Sequence, residues 1–154
     1  MDHARKMLTR DITPLFALDR KNPLLMIGSA PSPGSAETFP YGIRVLVLTA
    51  EEYQLPSVLF PGLHVVHAPF DDTPAPSRLH LRIAREAARR SAQYIRDGVP
   101  VLVTCRAGRN RSGLVCALAL RNIGLSPVKA TDLVVKNRMG ALTNPTFLKI
   151  ALGH

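Results

Sequence analysis

Apolar residues gather along this chain in short blocks of two kinds. The first is a run of bulky side chains closed by Gly, Pro or polar positions: Leu24, Leu25, Met26 and Ile27 before Gly28; residues 43–48 (IRVLVL); residues 63–67 (LHVVH); and Val101, Leu102 and Val103 behind Gly98 and Pro100. Such runs predict short buried strands. The second kind has helical spacing. Between Ser77 and Asp97, Leu79, Ile83, Ala87, Tyr94 and Ile95 recur as one apolar stripe that Gly98 ends. A further apolar helix is predicted from Ser112 to near Gly124. Ser126-Pro127 and Asn144-Pro145 each join an N-cap residue to proline at the first helical position, opening one helix to about Met139 and a short last one. Alternating strands and helices predict one α/β layered domain over residues 23–154, with a polar, basic head over residues 1–22 that packs on it or extends it. The pattern holds no internal repeat, linker or second domain.

Composition narrows the classes. A chain of 154 residues buries roughly 68–70% of its unfolded surface, so a single core suffices. The longest apolar run, residues 113–120, is far short of the ~18 residues of a membrane span, and the first residues lack a secretory apolar region. The two cysteines, Cys105 and Cys116, lie about three turns apart if they share one loop-helix unit, too far to bridge. They are expected as free thiols in a reducing compartment, the cytoplasm. The five histidines have no metal-ligand spacing, so neither metal nor cofactor is implied. The formal charge of +9, mostly from arginine, favours anionic partners: phosphorylated proteins, nucleic acids, phosphoinositides or anionic surfaces. Arg78, Arg82, Arg85, Arg89 and Arg96 share one face of the predicted helix, as a solvated ridge or a docking strip.

The chemistry lies between the last predicted strand and the helix after it. Cys105, Arg106, Ala107, Gly108, Arg109, Asn110 and Arg111 form a C-x5-R sequence, a spacing that chance alone supplies in about one chain in five of this composition. Context gives it weight. A seven-residue loop between strand and helix can curl so that successive amides point inward as an anion nest, with the helix dipole behind them. Gly108 permits the curl, and Arg111 can return across it as a two-pronged clamp on phosphate oxygens that lysine cannot reproduce. Ser112 puts a hydroxyl beside the sulfur. The same positive cradle favours the Cys105 thiolate as nucleophile. An oxygen leaving group needs a proton, and Asp71 and Asp72, at the end of a predicted strand, are the candidate acids.

The loop from Cys105 to Ser112 resembles the signature of the dual-specificity branch of the cysteine-dependent protein-tyrosine-phosphatase superfamily. The likeness runs from the LLMIGS strand through residues 69–73 to Asn144, Pro145, Thr146 and Phe147. It implies a central mixed sheet flanked by helices in three layers, with Cys105 as nucleophile, Arg111 as clamp, Ser112 assisting the thiolate as leaving group, and Asp72 as general acid. Asp72 is preferred to Asp71 because it precedes the small polar Thr73. Residues 106–111 would line the phosphate site. The implied activity is hydrolysis of phosphate monoesters, foremost protein phosphotyrosine with phosphoserine and phosphothreonine accepted. RNA 5′-phosphates or phosphoinositides are the alternative substrates, since Arg106 and Arg109 add charge and the loop is similar to those of phosphatases acting on such polyanions. Thr104 departs from the family, which usually has histidine there. The threonine is expected to hydrogen-bond the loop backbone without adding charge, and it motivates a further alternative, a phosphate-binding pseudophosphatase.

Overall fold

In the computed structural model, which describes residues 11–19 and 21–154, five strands form one sheet: β1 (Ile12–Phe16), β2 (Leu25–Gly28), β3 (Val45–Ala50), β4 (His64–Phe70) and β5 (Val101–Thr104), in the order β1-β2-β5-β3-β4. β1 is antiparallel to β2, and every other neighbour is parallel. Half of the expected basic head lies outside the described residues. Of the rest, Ile12–Phe16 is a strand that the polar surroundings of its sequence obscured.

Register sorts the side chains. Leu25, Val101 and Val45 lie opposite one another, as do Ile27, Val103 and Val47, and all six face the helices. The intervening row of Met26, Leu102 and Leu46 faces the other way, because successive strand residues alternate between faces. Both faces are buried, as continuous rather than alternating apolar runs predict for parallel strands. One face packs against α1 (Arg78–Arg96), α2 (Arg111–Asn122), α3 (Pro127–Asn137) and α4 (Pro145–Ala151). Among the described residues the opposite face is covered by irregular chain with two single turns of 3-10 helix, Ala36–Thr38 and Ser57–Leu59, which deliver Phe39 and Phe60.

One helix is rotated from the expected stripe. Leu79 is 58% exposed, and α1 instead buries Ala84, Ala87, Ala88, Ser91, Ala92 and Ile95. The alanines let α1 approach α2, which is buried from Arg111 to Leu120, so small residues mark most of the inner face. Parallel pairing of β2, β5, β3 and β4 brings their carboxyl ends to one edge of the sheet, where open α/β sheets gather functional loops.

Candidate active site

Each of those four ends contributes. Beyond β5 the chain enters the 105–111 loop; Gly28 ends β2 and Ala30 follows it, Glu52 follows β3, and Asp71 and Asp72 follow β4. Five successive loop carbonyls are held from outside. The amide of Ala30 donates to Arg106 O, Arg138 Nη2 to Ala107 O, Arg138 Nε to Gly108 O, the amide of Leu142 to Arg109 O and that of Leu114 to Asn110 O, at 2.9–3.2 Å. With the carbonyls held in this way, the amides of residues 106–110 have no hydrogen-bond partner among the described residues and are available to an anion at the start of α2.

Gly108 is indispensable to this curl. Its φ is +68°, and a Cβ would stand 2.5 Å from both Arg138 Nη2 and the carbonyl carbon of Gly28. Leu142 also holds a left-handed backbone, φ 58°, unusual for a branched residue; its side chain is buried against Gly113, where a larger residue would leave little room.

The Cys105 sulfur is buried, 3.1 Å from Ser112 Oγ. Arg111 is only 5% exposed; Nη1 and Nη2 are bound at 2.6 and 2.8 Å by the two oxygens of Glu52, and Nη1 also donates to Phe70 O. Its Nε is buried without a partner among the described residues. Burial opposes the Arg111 charge, but the hydrogen-bonded Glu52 carboxylate outweighs it and raises the guanidinium's pKa, with smaller help from Cys105 and Asp72. The Arg111 hydrogen bonds hold the pKa of Glu52 down to about 2, against the opposing cost of its burial.

Asp72 belongs to a polar network that ties three elements together. Asn110 Nδ2 donates to one of its oxygens at 3.0 Å and Asn144 Nδ2 to the other at 2.8 Å. Asn110 Oδ1 accepts from the Asn144 amide, while Asn144 Oδ1 caps α4 by accepting from the amides of Thr146 and Phe147. Beneath it the rings of Phe70 and Phe147, both fully buried, meet at 6.2 Å, fixing the end of β4 against α4. Asp71 is exposed, and its amide donates to His80 Nδ1 at 3.3 Å.

A family model for the DSP-PTPase phosphatases of polymorphic toxin systems matches residues 33–124, more than half of the chain, including Glu52, Asp72 and the whole 105–111 loop. The chain belongs to the dual-specificity phosphatases. Human dual specificity phosphatase 28 is 36% identical over 135 residues, spanning 84% of this chain and 73% of the human protein. Its mouse counterpart is 35% identical over 139 residues, 87% of this chain and 80% of that one. The crystal structure of human DUSP28 matches with a TM-score of 0.71 and 30% identity over 92% of this chain and 95% of the other. PTPMT1 in complex with PI(5)P, 20% identical with a TM-score of 0.66 over 84% and 88% of the two chains, shares the fold.

In this dual-specificity phosphatase the residues singled out by sequence, Cys105 to Ser112 and Asp72, meet at one edge of the sheet. Thr104 differs from its expectation: its hydroxyl donates to Val47 O on β3 rather than to the loop, because a side chain one residue before the turn still follows the strand's alternation. The side chains of Arg106 and Arg109, which the sequence marks only as extra charge on the loop, lie on its outside. Both residues are exposed, and Arg109 lies across Gly140, where a Cβ would stand 3.1 Å from its chain. Sequence reasoning missed Glu52, although Glu51-Glu52 directly after a strand ending at this edge was a signal. It also missed Arg138, whose partners are mostly backbone carbonyls and leave no trace in composition. Asn144 was read only as a helix cap. Cys105 and Cys116 are both unbridged and buried, and burial pushes the Cys116 thiol's pKa well up, consistent with an inert core residue. Among the described residues no helix is long and apolar enough to cross a membrane.

Proposed function

We propose that this cysteine-dependent phosphatase acts on phosphoproteins, phosphotyrosine foremost with phosphoserine and phosphothreonine accepted, through a phosphate ester of Cys105. The observation that carries the reading is the loop after Cys105, whose five carbonyls are all held by donors outside it, together with an Arg111 Nε that is buried without a partner among the described residues. The thiolate attacks phosphorus as the phosphorus–oxygen bond to the substrate breaks; amides of residues 106–111 and the Arg111 guanidinium take the charge of the equatorial oxygens. Asp72 gives its proton to the departing oxygen, then accepts one from water, whose oxygen attacks the phosphocysteine. The sulfur–phosphorus bond breaks, inorganic phosphate leaves, and Ser112 Oγ donates to the regenerated thiolate. Free cysteines fit a reducing compartment such as the cytoplasm.

Exposed Arg106 and Arg109 favour a second reading, polyanionic substrates such as phosphoinositides or RNA 5′-phosphates, and the fold shared with PTPMT1 bound to PI(5)P is compatible with it. A panel of phosphopeptides, phosphoinositides and 5′-triphosphorylated RNA separates the two, with the phosphopeptides expected to have the highest kcat/KM. Cys105→Ser is expected to abolish turnover while still binding tungstate; full activity in that variant would end the cysteine mechanism.

A further inference from the structure

The exposed side of α1 carries a charge the active site does not use. Six arginines stand against one glutamate on this helix, and Arg78, Arg82, Arg85 and Arg89 follow one another at spacings of four, three and four residues. All four are exposed. Like charges at these spacings repel. Glu86 is engaged with Arg89, and Arg78, Arg82 and Arg85 have no ion pair or hydrogen bond from their side chains among the described residues. The row begins one residue after the N-cap Ser77, next to the loop that carries Asp72, and runs back towards the opposite edge of the sheet. Arg78 to Arg96 spans about 27 Å, the length of about eight extended residues.

A groove of about 500 Å³ opens beside the row, lined by Arg85, Arg89, Arg121 and Asn122 together with Leu118, Leu125 and Pro127. Arg121 is held there by donating to Ile150 O, and Pro127, the first residue of α3, lines the same groove, so the positive end of that helix lies beside it. Apolar lining between arginines suits a chain with both acidic and aliphatic side chains. A nucleic-acid backbone has no aliphatic group to bury, and these arginines are not interleaved with the exposed aromatic residues on which bases stack. We propose that the α1 arginine row and this groove form a docking site for an acidic, leucine-bearing peptide segment of the protein substrate, extended away from its phosphorylated residue. The inference rests on the phosphoprotein reading only for what it delivers; the surface itself is testable apart from catalysis.

The probe is a fluorescein-labelled, unphosphorylated ten-residue peptide of alternating glutamates around two leucines, titrated by anisotropy with the full chain at 50 mM NaCl. Binding is expected to weaken at least tenfold in the R82E/R85E double variant and severalfold when serines replace the leucines. Turnover of p-nitrophenyl phosphate should be unchanged in that variant, showing that the fold is kept; if it falls, R82Q/R85Q is read in its place. Joining the acidic segment to a phosphotyrosine peptide should lower KM and leave kcat alone, in the unmutated enzyme only. Cys105→Ser should bind the unphosphorylated probe normally, so loss of the phosphoprotein reading and loss of the docking site are separate results. Absence of binding, equal binding by the charge-reversed variant, or single-stranded RNA of equal charge competing as well as the peptide would each overturn the proposal.

Discussion

Asp71 and Asp72 are neighbours in sequence with different surroundings. Only Asp72 reaches the phosphate loop, through Asn110, and Asn144 fixes its other oxygen. Asp72→Asn is therefore expected to slow hydrolysis of a poorly activated phosphate ester by about 10²–10⁴, and an activated aryl phosphate far less, because a good leaving group needs little protonation. Asp71→Asn should leave both rates near normal; the reverse pattern would move the acid by one residue. Glu52 makes a different prediction. Its folded pKa of about 2 lies below the ordinary 4.5, so its bond to Arg111 contributes stability that is fully present above pH 4.5 and is lost as pH falls towards 2. Glu52 is 39% exposed in its side chain, and solvent screening limits the pair to about 1 kcal/mol. Glu52→Gln should lower Tm by about 2–4 °C at pH 7, and the gap should close as pH approaches 2. A gap that persists there would mean that Glu52 acts through packing.

Arg138 joins elements far apart in sequence. At the end of α3 it supports Ala107 and Gly108, while Thr13 Oγ1 and Asp11 Oδ1, at the start of β1, accept from its Nη1 and Nη2. Arg138→Met would leave those loop carbonyls without their donor and is expected to cost about 1.5–3 kcal/mol in urea denaturation, together with weakened tungstate binding. Normal tungstate affinity in a destabilised variant would confine Arg138 to fold stability. Elements such as this one explain what the sequence revealed. The strands Val45–Ala50, expected two residues earlier at 43–48, and Val101–Thr104 were legible because both faces are buried and apolar residues run continuously, and the proline-started helices because their caps are local. β1 was not, since an edge strand with Pro14 and charged flanks lacks that run. Cys105, Arg111 and Ser112 could be read from one contiguous loop. Glu52, Arg138 and the bridging role of Asn144 could not, because each depends on which distant backbone the fold places beside it.

At the scale of the whole molecule, positive charge is divided between the active-site rim and the outer side of α1. Arg106→Ala and Arg109→Ala should reduce kcat/KM for a substrate with a second phosphate about tenfold and small aryl phosphates little, the difference fading in high salt. Equal losses on both would show that these arginines support the loop. The ring of externally held carbonyls also has a calorimetric consequence. Because folding has already fixed the conformations of residues 106–110, an oxyanion entering the cradle has no backbone disorder to remove. Tungstate binding to Cys105→Ser should release heat, show a heat-capacity change near zero, and proceed in one kinetic phase whose rate rises linearly with tungstate concentration. A rate that levels off at high tungstate would reveal a loop that must first rearrange.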